Sequence, residues 1–199
     1  MGEGRFIVLD GVDGCGKSTQ ARLLTEALQA RREPALHVRE PGSTGVGERL
    51  RELILSREYD LDAGVEALLL LAARRQMLRE VVAPALGRGE HVVCERFHSS
   101  TFAYQAVAGG LGEPAVLELF RWAASPEPDH LVLLELSPDE AQRRAGPAGD
   151  RIEARGVEFQ REVAAGYRRY AEVFPGTLRV DASGSPEEVQ ARIQEVIFG

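Results

Sequence analysis

The stretch RFIVLDGVDGCGKST, residues 5–19, decides how this chain is read. Gly11, Val12, Asp13, Gly14, Cys15, Gly16, Lys17 and Ser18 match the pattern G-x-x-x-x-G-K-[ST]. The context fits. An apolar run, Phe6 to Leu9, comes before, and an amphipathic series opening Lys17-Ser18-Thr19-Gln20 comes after. Glycine lets main chain wrap closely around an anion with its N–H groups pointing inward. The start of a helix adds free donors and partial positive charge. Those residue types imply ATP with magnesium: residues 11–19 as the cradle, Lys17 for the β- and γ-phosphates, the Ser18 hydroxyl for Mg2+.

Working outward, apolar β-branched runs alternate with longer helical patterns. That alternation predicts an α/β fold, a parallel sheet with helices on both faces. Strands are expected at 5–10, 35–40, 91–95, 130–136 and 177–181. Helices are expected at 17–31, 46–55, 63–86, 99–107, 114–124, 138–144, 153–174 and 186–197. Ser185-Pro186-Glu187-Glu188 is a helix start: a cap, a proline at the first position, then acids at the positive end of the dipole. The 199 residues suit one domain. No linker divides them, and Gly146-Pro147-Ala148-Gly149 is the loosest internal segment.

Composition narrows the function. The chain carries 24 Lys+Arg against 31 Asp+Glu, a net charge of −7. That argues against a nucleic-acid-coating protein. It leaves room for an anionic substrate, because the potential in the cleft is what counts. The longest apolar run, Ala67 to Ala73, is far below the ~18 residues that span a bilayer. The first residues contain no basic segment leading into a hydrophobic stretch, so no secretory signal is read and a cytoplasmic location is expected. Cys15 and Cys94 form no CxxC pair and read as free thiols. His37, His91, His98 and His130 share no metal-ligand spacing and read as surface or core residues. Lys17 is the only lysine; every other basic residue except histidine is arginine. A compact ammonium aimed at one phosphate is not replaceable by a planar guanidinium.

Two further groups of residues point to chemistry. Glu95 ends the run HVVCE at the carboxyl edge of a predicted buried strand, the edge that faces the ligand crevice in open parallel sheets. A carboxylate there can hold magnesium directly or through water. Glu135 competes for the role; Arg96, directly after Glu95, favours Glu95. Asp13 lies inside a loop built for polyphosphate, so it is expected to face away from ATP, toward the acceptor or its metal. Phosphoryl transfer asks the protein to position and neutralise charge, and arginine forks suit that work. Arg51, Arg74, Arg96, Arg143, Arg144 and Arg151 are the candidates at predicted strand ends and loops.

These motifs, taken in order, resemble the bacterial thymidylate kinase family. The resemblance runs nearly end to end: GVDGCGKST, then REPGSTGVGERLR (residues 39–51), LLLLAARRQM (68–77), ERFHSSTFAYQ (95–105), and DRIE with FQREVAAGYRRYA (150–171). It implies the nucleoside-monophosphate-kinase fold, a five-stranded parallel sheet with a mobile lid, here about 143–152. It implies phosphoryl transfer from ATP to dTMP, giving dTDP, and a homodimer. Asp13 corresponds to an acidic residue near the acceptor sugar and phosphate. Arg51, Arg74 and Arg96 correspond to arginines on the dTMP phosphate. Ser100, Thr101, Tyr104 and Gln105 fall in the segment lining the base and sugar pocket. Gly14 stands where one subclass has a catalytic arginine. The other subclass supplies that arginine from the lid, which makes Arg143, Arg144 or Arg151 the donor here.

The chain departs from the family at three positions. Leu70 replaces a phenylalanine that stacks on thymine and offers apolar contact without a ring. Glu95 is one methylene longer than the usual aspartate. Phe97 lacks the usual tyrosine hydroxyl. Two other readings stand beside dTMP kinase. One keeps the fold and changes the acceptor to another nucleotide, a deoxynucleoside or a small metabolite. The other is a nucleotide-dependent switch such as a GTPase. With a single lysine at position 17, the Asn-Lys-x-Asp base-reading motif of GTPases cannot be present.

Overall fold

The computed structural model describes residues 4–123, 126–146 and 149–199. Five strands form one sheet: β1 (Phe6–Gly11), β2 (Ala35–Arg39), β3 (His91–Glu95), β4 (His130–Glu135) and β5 (Leu178–Asp181). Their order is β2-β3-β1-β4-β5, and every pairing is parallel. Residues 6–11 of β1 are all buried, because β1 is central and helices cover both faces. From β1 the chain goes out to β2, returns to β3, then crosses β1 to reach β4. The order therefore switches around β1, and the crevice where such sheets bind ligands opens at its carboxyl end. Residues 11–16 lie there.

Nine α-helices are described: α1 (Lys17–Ala30), α2 (Gly45–Leu55), α3 (Ala63–Met77), α4 (Ala83–Gly87), α5 (His98–Thr101), α6 (Glu113–Ala123), α7 (Pro138–Ala145), α8 (Gly156–Val173) and α9 (Pro186–Phe198). The predicted strands, and most predicted helices, fall within one residue of these bounds. Three predicted helices differ. The run 63–86 is α3, a π-helical turn over Leu78–Val82, then α4. Pro84 has no N–H, and its ring crowds the carbonyl four residues back; a widened turn relieves both. The run 99–107 is α5 followed by a π-helical turn over Phe102–Ala108. The run 153–174 is a 3₁₀ turn, Glu153–Arg155, and then α8, separated by Gly156 at φ 86°. Ala124 of one predicted helix, and Pro147 and Ala148 of the expected lid, lie outside the described residues.

Helix α8 packs on the Phe102–Ala108 turn at close range. A Cβ added at Gly166 would sit 2.7 Å from Ala103 Cα, so only glycine permits the approach. That contact carries the next residue, Tyr167, in to the end of β1. Among the described residues, no helix is long and apolar enough to cross a membrane.

Candidate active site

Four helices begin under their own side chains. Thr44 caps α2, Asp62 caps α3, Ser137 caps α7, and Ser185 caps α9 in a full capping box with Glu188. Helix α1 does not. Gly16 precedes it at φ 96°, no side chain accepts from its first turn, and residues 17–20 include no acid. Its free N–H groups and dipole end make an anion site of the kind that binds phosphate. The loop before it bends through Gly11 (φ 146°), Gly14 (φ 82°) and Gly16, all in the region that favours glycine. Gly14 is hemmed in as well: a Cβ there would overlap the Ala141 carbonyl of α7. The loop therefore has no room for an arginine at position 14. Lys17 is buried, and its ammonium donates to the Gly11 carbonyl at 2.9 Å and the Val12 carbonyl at 2.8 Å.

On the other side of the loop, Asp13 forms a close ion pair with Arg96 and accepts from the Tyr104 hydroxyl at 2.7 Å. Lys17 Nζ lies 3.7 Å from the same carboxylate. Burial pushes the Asp13 carboxyl up, but Arg96, Lys17 and the Tyr104 hydrogen bond together hold it well below the usual carboxylate range. It stays ionised throughout the neutral range, with both cations at its Oδ1 and Tyr104 at its Oδ2. The guanidinium of Arg96 lies 5.4 Å from the Tyr104 ring centroid, and its Nη1 donates to Ser100 Oγ at 3.3 Å.

Glu95 ends β3 beside the start of α1. Its Oε2 accepts from the Ser18 hydroxyl at 2.6 Å, and its Oε1 lies 2.5 Å from His37 Nε2. Burial raises this carboxyl, and the contacts to His37 and Ser18 outweigh it, so the net shift is downward. An ionised carboxylate converging on a hydroxyl is a hard-oxygen donor pair that fits magnesium. Among the described residues, no group of three or more His, Cys, Asp or Glu converges to cage a metal. Mg2+ ordinarily completes its shell with water and substrate phosphates, so this sparse donor set suits it.

A cavity of about 930 Å³ joins these parts. Residues 13–19 line it, with Arg51, Leu70, Arg96, Ser100, Thr101, Tyr104, Gln105, Arg144, Ala182, Gly184, Pro186 and Val189. Arg96 and Tyr104 gather on Asp13, while Arg144 donates to the Ala182 carbonyl and Gln20 to the Pro186 carbonyl, each at 3.0 Å.

Comparisons with known proteins give the family. The family model "Thymidylate kinase" matches residues 9–193. A thymidylate kinase of Gluconobacter oxydans (strain 621H) is 43% identical over 203 residues, covering 98% of this chain and 95% of that protein. This chain belongs to the thymidylate kinase family. A thymidylate kinase of Caldanaerobacter subterraneus subsp. tengcongensis is 41% identical, covering 86% of this chain and 84% of its own. The crystal structure of thymidylate kinase from Ehrlichia chaffeensis superposes with a TM-score of 0.82 at 26% identity, covering 99% of this chain and 100% of that one. A thymidylate kinase is a nucleoside monophosphate kinase, so the chain is an enzyme of that class.

Most residues singled out from sequence meet at this cavity; six do not line it. Gly11 and Val12 form the back of the loop and line an adjoining cavity. Arg74 is fully buried, with its guanidinium held by Glu40 at 2.6 Å and Thr101 Oγ1 at 2.8 Å. It supports the wall from behind instead of facing it. Arg143 is 75% exposed and pairs with Glu140. Arg151 is spent elsewhere: Nε and Nη2 donate to the Ile54 carbonyl, and Nη2 lies 2.8 Å from Glu66 Oε1. Of Arg143, Arg144 and Arg151, only Arg144 lines this cavity. Glu135 pairs with Arg179 at 2.7 Å and lines only the adjoining cavity.

Several residues of the site carry little signal in the sequence. Nothing local marks His37, yet its position in β2 brings it to Glu95. Glu66, fully buried, accepts from Arg151, Arg155 and Gln105. A lone acid in the apolar series of α3 was the available signal. Asp10, the acid that ends the FIVLD run, was counted only as part of a strand.

Proposed function

We propose that this chain transfers the γ-phosphoryl group of ATP to dTMP, giving dTDP and ADP. The observation that carries the reading is one cavity that holds both an uncapped helix start with its glycine loop and, beyond Asp13 of that loop, the arginines Arg96 and Arg51. A polyphosphate and a monophosphate would meet there end to end, as in-line transfer requires.

In this reading the amides of residues 13–19 cradle the ATP phosphates. Lys17 exchanges its bonds to the loop carbonyls for bonds to the β- and γ-phosphates. Ser18 and Glu95 would hold magnesium, with His37 fixing the carboxylate. When bound there, magnesium neutralises charge on the β- and γ-phosphates. Arg51 and Arg96 hold the acceptor phosphate, and Asp13 keeps Arg96 at a set distance from Lys17. Leu70, Ser100, Thr101, Tyr104 and Gln105 form the base and sugar pocket. Leu70 gives the pyrimidine an apolar floor, and the Gln105 amide is oriented by its bond to Glu66 at 2.8 Å. Arg144 supplies the lid cation that meets charge developing in the transition state. The chain is taken as one domain whose lid spans about 143–152, working in the cytoplasm, in line with its two free, buried thiols.

An acceptor screen tests the assignment. Purified protein, ATP and magnesium are offered dTMP, dUMP, CMP, AMP and thymidine. Highest kcat/KM on dTMP supports the reading, and no preference for dTMP overturns it. We further propose a homodimer built on α3 and α6. Val65 and Leu68 stand one turn apart on α3 and are 40% and 59% exposed; Trp122 on α6 is 74% exposed. Arg75 Nη1 donates to the Ala123 carbonyl at 2.9 Å, which brings the two helices into one apolar face. Sedimentation that gives a dimer mass, and a monomer mass for Leu68→Glu, supports this.

A further inference from the structure

We infer that Asp10 is a positioning residue that fixes the backbone of Arg96 and ties it to the phosphate loop; this rests on the role proposed for Arg96 above. Asp10 is fully buried at the end of β1. Its Oδ1 accepts from Gly11 N, Ser100 Oγ and Tyr167 Oη, each at 2.8 Å. Its Oδ2 accepts from Ser99 Oγ at 2.6 Å and Phe97 N at 3.2 Å. One carboxylate therefore holds the first amide of the loop and the amide just after Arg96.

Arg96 needs such a hold. It has φ 65°, a left-handed conformation uncommon for a residue with a side chain. Two neighbouring residues of β1 pin it from either side. The Leu9 carbonyl accepts from Arg96 N at 3.0 Å, and the Asp10 carboxylate accepts from Phe97 N. The side chain is held through the same group. Ser100 gives its proton to Asp10 and so turns a lone pair toward Arg96 Nη1.

The donor types show why a carboxylate is required. Hydroxyls can rotate to suit an amide, but main-chain N–H groups cannot. Each oxygen of Asp10 takes one main-chain N–H. In Asp10→Asn, whichever way the amide turns, its NH2 group faces Gly11 N or Phe97 N. The Gly11 bond is the shorter, so the amide oxygen stays there. The mismatch falls on Phe97, and the loss appears on the acceptor side.

The test is steady-state kinetics on Asp10→Asn, Arg96→Ala and the double variant, with ATP–magnesium and dTMP. Losing one hydrogen bond to a charged group predicts about a tenfold rise in KM for dTMP, with KM for ATP within about twofold. In the Arg96→Ala background, Asp10→Asn should add less than about twofold, because the two act as one unit. An equal loss on both substrates, or a full tenfold cost without Arg96, overturns the inference. If Asp10→Asn fails to fold, Ser99→Ala, which strips a partner from the Phe97-facing oxygen, carries the test. It should raise KM for dTMP several-fold and leave ATP unchanged, and no such split overturns the inference. Wild-type turnover of dTMP in the same assay separates the two claims. An active wild type without the split sinks the role of Asp10 alone, and an inactive one sinks the functional reading and this inference with it.

Discussion

Replacing Arg151 and Arg144 in turn should separate anchoring from catalysis in the lid region. Arg151 is 13% exposed and donates to the Ile54 carbonyl and to Glu66, which has no exposure at all. Removing one partner of a buried ion pair costs about 3–5 kcal/mol when the other charge is stranded. Glu66 would not be stranded, since Arg155 at 2.9 Å and Gln105 at 2.8 Å remain. The expected cost of Arg151→Ala falls to about 1.5–3 kcal/mol, the range for a lost hydrogen bond to a charged group. At roughly 2–4 °C per kcal/mol for a chain of this size, Tm should fall by about 3–12 °C. Arg144 is different. Its pair with Glu140 is partly exposed on both sides, 33% and 29%, and such pairs contribute about 0–1 kcal/mol. Arg144→Ala should leave Tm within about 4 °C. Its kcat should fall about 10²–10³-fold, as for loss of a preorganised transition-state donor. Thermal melts and a coupled ADP-release assay read both quantities. If Arg151→Ala melted like wild type while losing kcat, or Arg144→Ala kept its kcat, the division of roles would be refuted.

Three other outcomes follow from the same geometry. Lys17→Ala should lower phosphoryl transfer about 10²–10³-fold, and Lys17→Arg should not restore it, because a planar fork cannot take the place of a compact ammonium buried against two carbonyls; equal activity would remove the loop from the mechanism. Gly14→Ala should weaken ATP binding in calorimetry and lower Tm, since a left-handed alanine costs roughly 1–2 kcal/mol before the overlap with Ala141 is counted. An unchanged titration would contradict the tight seat of the loop under α7. The third outcome concerns pH. Burial, with Arg74 nearby, holds His98 well below the ordinary value of 6.5. As pH falls below 6.5 the unfolded chain takes up a proton that the folded chain refuses, so stability drops, by up to about 1.4 kcal/mol per pH unit for one such group. His98→Phe should keep the stacking on Phe97 and Phe120 and flatten that slope in urea unfolding between pH 7 and 5; an equal slope would clear His98 of the effect.

The strands and the phosphate loop were legible because their signals are local. A five-residue apolar run, a glycine at a set spacing and a cap before a proline each act within one turn of chain. What escaped depends on neighbours far off in sequence. His37 and Glu95 meet across adjacent parallel strands, and no periodicity announces that pairing. Arg151 reads from its motif as a lid cation, but Glu66, 85 residues away, claims it. The helix breaks at 78–82 and 156 were visible in principle as Pro84 and Gly156. Phe97 shows the converse. The missing hydroxyl looked like a loss at the site, whereas the ring lies fully buried, edge-on to Phe6 at 5.2 Å, under the Arg74 guanidinium.

On the proposed function, the charge pattern accounts for how an acidic protein would hold two anions. Three cations that line the cavity are held by acids: Lys17 and Arg96 by Asp13, and Arg144 by Glu140; Arg51 donates instead to the Pro41 carbonyl. Asp13 matters most, because one carboxylate holds both Lys17 and Arg96, the donor-side and acceptor-side cations of the proposed reaction. Its depressed pKa keeps it ionised throughout the neutral range, so on the proposed reading it holds Lys17 and Arg96 apart. Asp10, three residues earlier, does for main chain what Asp13 does for charge. The end of β1 thus delivers two acids on either side of one glycine turn. In the proposed mechanism one fixes where Arg96 sits, and the other fixes how far it stays from the lysine.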